Sequence, residues 1–240
     1  MADAIFEETR LAEIYDPLDP DRGDLDVYVA MVEEFGARSV LDVGCGTGTL
    51  ATLLARRGLE VTAVDPARAS LEVARRKPDA AAVRWIEGDA RAVPPLQADM
   101  ATMTGNVAQV FLTDGDWRST LEAVRDRLRP GGRLVFETRD PSRRAWRQWD
   151  RPGTYRRHEL SGVGVVESWS ELVAVDLPLV SFRWTVLFEA DGAVMTSDST
   201  LRFRGRNEVV DTLQEVGFTV EDIRDAPDRP GLEFVFIARR

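Results

Sequence analysis

Short apolar runs alternate with segments of helical periodicity through the first 140 residues. Within 24–35, Leu25, Tyr28, Val29 and Val32 share one helical face, and Gly36 is a natural stop. The pattern then predicts a strand at 39–43, a helix at 49–57 closed by Gly58, a strand at 60–65 and a helix at 67–76 ended before Pro78. Further strands are predicted at 82–86 and 99–104. The segment 114–128 begins with acids and ends with bases, as a helix matched to its own dipole does. Pro130-Gly131-Gly132 turns the chain into a strand at 133–138. Strands alternating with helices predict an α/β fold with a doubly wound, mostly parallel sheet.

From 155 to 204 the period drops to two. Phe182, Trp184, Val186 and Phe188 alternate with Ser181, Arg183, Thr185 and Leu187, and Val165, Glu167, Trp169, Glu171 and Val173 have the same spacing. Asp191-Gly192 is a hairpin turn signal before a returning strand at 195–203. This stretch reads as an antiparallel insertion of three or more strands. A helix at 207–216 and strands at 219–224 and 233–238 close the chain. The domain reading divides the chain at 1–36, 37–140, 141–205 and 206–240.

Composition narrows the class. A chain of 240 residues, 44% hydrophobic and 30% charged, can bury one good core. No apolar run is long enough to span a bilayer. The polar, acidic residues 1–11 have no signal-peptide core, and Cys45 alone permits no internal disulfide. These features lead to the expectation of a soluble cytoplasmic protein without membrane partners. The net charge of −10 and pI near 4.8 disfavour a nucleic-acid partner. One histidine and one cysteine cannot build the usual zinc site, and no calcium-hand spacing is present. A carboxylate-only metal site stays open.

The chemistry concentrates in Val40-Leu41-Asp42-Val43-Gly44-Cys45-Gly46-Thr47-Gly48. A dinucleotide fingerprint would put its third glycine where Thr49 stands, and a phosphate loop would end in Gly-Lys-Ser/Thr. Alternating glycines instead let backbone pass close to a ligand. Asp42 at one strand end can face a positive group, and Asp65 at the next can accept hydrogen bonds from ribose hydroxyls. Two such acids without a phosphate binder point to S-adenosylmethionine rather than a nicotinamide cofactor.

Val40 to Gly48 resembles motif I of the class I S-adenosylmethionine-dependent methyltransferases, and Val61 to Asp65 resembles their next motif. Glu87-Gly88-Asp89-Ala90 is similar to the adenine-binding segment after strand three. Leu128 to Leu134 is similar to the turn into strand five. The matches keep the family's order and spacing over about residues 24–140. The resemblance implies a seven-stranded Rossmann-like sheet, S-adenosylmethionine as cofactor and S-adenosylhomocysteine as product. It implies that Asp42 lies near the methionine amino group and that Gly44, Cys45 and Gly46 line methionine and ribose. It places Asp65 on the ribose hydroxyls, Pro66 beside the adenine, and Asp89 with the Ala90 backbone at the adenine amino group. Gly105, Asn106 and Val107 would sit by the sulfur and the acceptor, and Tyr15 would fold over the cofactor. Small-molecule members often carry an antiparallel sheet after strand five as an active-site cover. Residues 141–205 are therefore expected to cover the site from one side and the helical 1–36 from the other.

Plainer roles stand beside these. The glycines could form only a tight turn, Asp65 a helix cap, Asp89 the start of a turn, Asp42 a loop cap, and Tyr15 local packing. Cys45 reads as a small residue under the cofactor. His158, the only histidine, is a candidate base or a structural residue. Arg139, after strand five, is a candidate to position an acidic substrate or to make a surface ion pair. Arg143, Arg144, Arg147, Arg151, Arg156 and Arg157 form either a solvated face or an anion-attracting rim. Trp146, Trp149, Trp169 and Trp184 bury the insertion, with one or two of them walling the substrate site. The expected activity is methylation of a small molecule at nitrogen or oxygen by a monomer or homodimer. The absence of an evident base tilts the expectation towards nitrogen or an already acidic oxygen. A nucleic-acid methyltransferase, or a non-catalytic S-adenosylmethionine-binding protein, is the alternative.

Overall fold

The computed structural model describes residues 2–240, and its centre is a seven-stranded sheet. Strands β1 (Ser39–Val43), β2 (Glu60–Asp65), β3 (Val83–Glu87), β4 (Ala98–Met103) and β5 (Leu128–Arg139) are parallel. Near the C-terminus, β10 (Thr219–Asp225) pairs antiparallel with β11 (Glu233–Arg239), which pairs antiparallel with β5. The spatial order is β10-β11-β5-β4-β1-β2-β3. The order reverses between β1 and β4, so the carboxyl ends of these two strands form the crevice where open α/β sheets bind ligands.

Both faces of the sheet are covered, which is why its central strands are nearly continuous apolar runs. Leu41 and Val43 enter a core with Met103, Trp117, Leu121 and Phe136. Val40, just before them, points the other way into a core with Tyr28, Val32, Leu50, Leu54 and Met100. The helices supplying these layers include α3 (Asp26–Glu34), α4 (Thr49–Arg56), α5 (Arg68–Arg75), α6 (Asp114–Arg127) and α8 (Arg206–Glu215). The helix expected over 24–35 starts as a short tight turn, Gly23–Leu25, and becomes α-helical at Asp26. Strand five is longer than its apolar run suggests. Pro130-Gly131-Gly132 forms an irregularity inside it, shifting its register against β4 between Ala98 and Met100.

The insertion is a four-stranded antiparallel sheet: β6 (Arg156–Leu160), β7 (Gly164–Asp176), β8 (Leu179–Phe188) and β9 (Ala193–Arg202). The small helix α7 (Arg151–Thr154) leads into it. Sequence periodicity misses β6 because only Leu160 of this edge strand is buried. Leu160, Val166, Val186 and Phe188 pack on Leu11 and Ile14 of α2 (Thr9–Leu18), and the Arg10 guanidinium lies 3.6 Å from the Phe188 ring centre. The preceding α1 (Ala4–Glu7) reaches β9, where the Ile5 N–H donates to Ser197 Oγ at 3.0 Å. The N-terminal helices thus bridge the inserted sheet and the main sheet. Among the described residues, no helix is long and apolar enough to cross a membrane.

Candidate active site

The chain leaves β1 through Gly44, Gly46 and Gly48, with φ of +73°, +53° and +76°. The Gly44 and Cys45 N–H groups donate to the Val64 carbonyl at 2.8 and 3.2 Å, folding the loop back over β2. A Cβ on Gly44 would lie 2.5 Å from a Val107 methyl, and one on Gly48 would lie 2.4 Å from the Trp85 ring. A Cβ on Gly46 would meet nothing within 4 Å. Two glycines are therefore demanded by packing, while the third leaves backbone bare towards open space.

Asp65, at the carboxyl end of β2, holds this loop. Its Oδ2 accepts from the Gly46 N–H and its Oδ1 from the Ala67 N–H, both at 2.8 Å. Burial raises its pKa. Each oxygen retains a lone pair for a further donor. Helix α5 begins at Arg68 with Ala67 at its cap position, so Asp65 is not the helix cap: it braces the turn before the helix and keeps acceptor capacity for a further donor. Asp89 accepts the Arg91 N–H at 2.8 Å, opening the short turn Ala90–Ala92, and the Arg91 guanidinium lies 2.5 Å away. These bonds hold its pKa below the usual range. Ala90 is buried, and Pro66 is exposed at the rim beside Asp65.

Asp42 is only 1% exposed, and Thr102 Oγ donates to its Oδ1 at 2.8 Å. Burial pushes its pKa up to about 7. A carboxyl whose pKa rises on folding favours the folded state fully below its unfolded pKa of about 4, and loses that contribution as pH climbs through 7. Asp42→Asn keeps an oxygen for Thr102 and does not titrate. Its melting temperature relative to the natural protein is expected to rise by a few degrees between pH 5 and pH 8. A difference that is flat with pH would contradict this.

Two cavities open at the carboxyl ends of β4 and β5. The smaller, about 500 Å³, is bordered by Tyr15, Gly105, Asn106, Arg22 and several aspartates, among them Asp16, Asp19 and Asp228. The larger, about 790 Å³, is bordered by Trp149, Arg147, Arg156 and Glu233. Arg139 and Arg229 line both.

A buried polar cluster supports the junction. Asn106 is left-handed (φ +62°) and 4% exposed. Its N–H donates to Glu137 Oε1 at 2.5 Å and its side-chain amide donates to Glu233 at 3.3 Å. Its Oδ1 has no protein partner. Glu137 also accepts the Tyr28 hydroxyl, and burial pushes its pKa up to about 7. Glu233 takes the Arg229 guanidinium at 2.8 Å and faces Arg139 at 3.6 Å. Arg139 donates to Gln109 Oε1 at 3.0 Å, and its guanidinium lies 5.7 Å from the Trp149 ring centre. Burial lowers its pKa against the pull of Glu233.

The remaining candidates sort by position. Tyr15 sits on α2, half-buried, its ring 5.5 Å from that of Phe6. Val107 packs on Gly44. Burial raises the Cys45 thiol well above its ordinary pKa, so it stays protonated and is a poor nucleophile. His158 lies on β6, pairs with Val166, and lines neither cavity. Of the arginine run, Arg147 and Arg156 line the larger cavity. Arg143 faces Asp140, Arg157 pairs with Glu189, and Arg151 lies over Trp169. Trp146 is buried edge-on against Phe203, leaving Trp149 at the larger cavity. Among the described residues, no group of three or more His, Cys, Asp or Glu is placed to hold a metal ion.

Known proteins align with this architecture. Residues 40–132 match a methyltransferase-domain family, covering β1 to the turn within β5. The chain is 32% identical over 144 residues to the cypemycin N-terminal methyltransferase of a Streptomyces species, a match that covers 58% of each chain. An S-adenosylmethionine-dependent methyltransferase structure from Clostridium acetobutylicum superposes with a TM-score of 0.77 at 18% identity, covering 96% of this chain and 97% of that one. Residues 40–132 thus match a methyltransferase domain, and the whole chain shares the fold of an S-adenosylmethionine-dependent methyltransferase. The sugar N-methyltransferase KedS8 from Streptoalloteichus sp. shares the fold, with a TM-score of 0.76 at 20% identity over 94% of this chain and 92% of its own.

The chain also holds its N-terminal helices to the glycine loop through residues to which the sequence reading assigns no role. Asp16 Oδ1 accepts from Thr47 Oγ at 2.7 Å, and Lys77 Nζ lies 2.6 Å from its other oxygen. Lys77 also donates to Thr49 Oγ at 2.7 Å. Asp16 directly follows Tyr15, so the same latch fixes the tyrosine at the mouth of the smaller cavity. Glu137 and Glu233 went unassigned too. The available signal was a carboxylate at the end of an apolar run in each case, Glu137 after Leu134-Val135-Phe136 and Glu233 before Phe234-Val235-Phe236-Ile237.

Proposed function

We propose that the chain transfers the methyl group of S-adenosylmethionine to a nitrogen of a small-molecule acceptor. The observation that carries the cofactor reading is the bare Gly46 backbone fastened to Asp65, on a loop whose Thr47 donates to Asp16 in the wall of a cavity that Gly105 and the left-handed Asn106 also line. Asp65 accepts the ribose hydroxyls with its remaining lone pairs. Gly44, Cys45 and Gly46 lie along ribose and methionine. Pro66, Ala90 and Asp89 flank the adenine, Asp89 exchanging part of its Arg91 contact for the amino group. Asp42, sealed from solvent, acts on the methionine amino group through water. The mixed lining of Arg22 and aspartates in the smaller cavity suits an amino-acid zwitterion. Tyr15 covers this end, and Gly105, Asn106 and Val107 border the transfer point.

S-adenosylmethionine supplies an intrinsically reactive methyl sulfonium, so the protein's part is to bind, align and exclude water. A neutral amine needs no strong base for this reaction. KedS8 is named a sugar N-methyltransferase, and the cypemycin enzyme an N-terminal methyltransferase. A methyl-release screen over small amines, carboxylates and phenols tests the reading. Turnover with amines is expected. Turnover confined to phenols or carboxylates would overturn the nitrogen assignment.

The latch gives a kinetic test. Asp16→Ala removes one partly buried ion pair and the hydrogen bonds from Thr47 and Thr49, so S-adenosylhomocysteine should dissociate about three- to tenfold faster. Stopped-flow displacement measures this; an unchanged rate would show that the helices do not gate the cofactor.

A further inference from the structure

We infer that the larger cavity is an anion subsite, taking a carboxylate or phosphate carried by the methyl acceptor while the acceptor nitrogen lies at Asn106. This rests on the methyl-transfer reading for the nitrogen end, and on the cavity itself for the anion end.

The charges do not balance within the cavity. Arg139, Arg147, Arg156 and Arg229 line it, against Asp150 and Glu233. Asp150 already accepts the Gly153 N–H at 2.7 Å. Glu233 is shared between Arg229 at 2.8 Å, Arg139 at 3.6 Å and the Asn106 amide at 3.3 Å. Arg229 also faces Asp228 at 3.5 Å, which leaves Arg139 with only the longer contact to a shared Glu233, and a desolvated cation without its own counter-charge favours an incoming anion. Arg147 and Arg156 differ from their neighbours Arg143 and Arg157, which face Asp140 and Glu189. Arg147 makes no ion pair among the described residues, and Arg156 donates only to the Gly153 and Tyr155 carbonyls. Planar guanidinium groups converging on one space suit carboxylate and phosphate oxygens.

The setting adds specificity. The chain carries a net charge of −10, so a basic cavity stands out from a surface that repels anions. Trp149 offers a flat apolar wall for the body of the acceptor. Because Arg139 and Arg229 line both cavities, an anion held there stands next to Asn106. The buried Oδ1 of Asn106, which has no protein partner, is placed to accept an N–H from the acceptor. The two cavities together select a molecule with an amine at one end and an anionic group at the other.

The test titrates inorganic pyrophosphate and succinate separately, by calorimetry at fixed ionic strength, into protein saturated with S-adenosylhomocysteine. Three proteins are compared: the natural chain, Arg147→Gln/Arg156→Gln, and the control Arg143→Gln/Arg157→Gln. At least one probe should bind the natural chain, roughly tenfold or more weakly to the cavity variant, and unchanged to the control. The tighter probe identifies phosphate or carboxylate as the recognised group. The inference is overturned if neither probe binds, if both variants weaken binding equally, or if the probe displaces S-adenosylhomocysteine. If S-adenosylhomocysteine itself does not bind, the methyl-transfer reading fails. The same three-way comparison on the free protein then still decides the anion subsite.

Discussion

Asp65→Ala is expected to bind S-adenosylhomocysteine about a hundredfold more weakly than the natural chain, from the loss of two charge-assisted hydrogen bonds to ribose at roughly 1.5 kcal/mol each. The structure enlarges the effect beyond ligand contacts. The same carboxylate fixes the Gly46 and Ala67 N–H groups, so its removal frees the glycine loop from the start of α5. Asp65→Asn separates the contributions. Its carbonyl oxygen can keep one backbone donor, whereas its NH₂ opposes the other, so it should fall between the natural chain and the alanine variant. Calorimetry reads both. Affinity within twofold of the natural chain for Asp65→Ala would remove this residue from the cofactor site.

Glu137→Ala is expected to be the most damaging substitution for the fold near the site. Glu137 is 4% exposed and accepts both the Tyr28 hydroxyl and the Asn106 N–H. Truncation strands two buried donors at about 1–3 kcal/mol each. For a chain of this size that lowers the melting temperature by roughly 5–15 °C. It also releases Asn106, whose left-handed backbone costs about 1–3 kcal/mol and persists only while its surroundings hold it. Methyl transfer should therefore fall further than stability alone explains when assayed well below the melting temperature. Glu137→Gln retains an acceptor oxygen and should lose less than half as much stability. A melting temperature unchanged in Glu137→Ala would show that this buried cluster carries no load.

The parts of this architecture written locally in the chain were legible in the sequence. The β1 glycine loop and the following helix and strand depend on residues within a few positions of one another. The positive φ values at Gly44, Gly46 and Gly48 match what alternating glycines allow. Strand β6 was illegible because an edge strand buries too little to impose a period. The full length of β5 was hidden by Pro130-Gly131-Gly132, which reads as a turn and is accommodated as an irregularity. The deeper gap concerns pairs that only the tertiary fold creates. Tyr28 and Glu137 lie 109 positions apart, and Asn106 and Glu233 lie 127 apart. Nothing in local spacing links Asp16 to Lys77, or Arg139 to Glu233. The arginine run shows the same limit. Of six similar residues in sequence, Arg143 and Arg157 pair with carboxylates at the surface, Arg151 lies over Trp169, and Arg147 and Arg156 border a cavity. His158 was singled out for being unique, a property of composition that says nothing about where an edge strand puts it.

The most direct test of cofactor use is calorimetric titration of the purified chain with S-adenosylhomocysteine and, separately, with NADH. Saturable one-to-one binding of S-adenosylhomocysteine with no heat from NADH is the predicted result; binding of NADH with none of S-adenosylhomocysteine would contradict it.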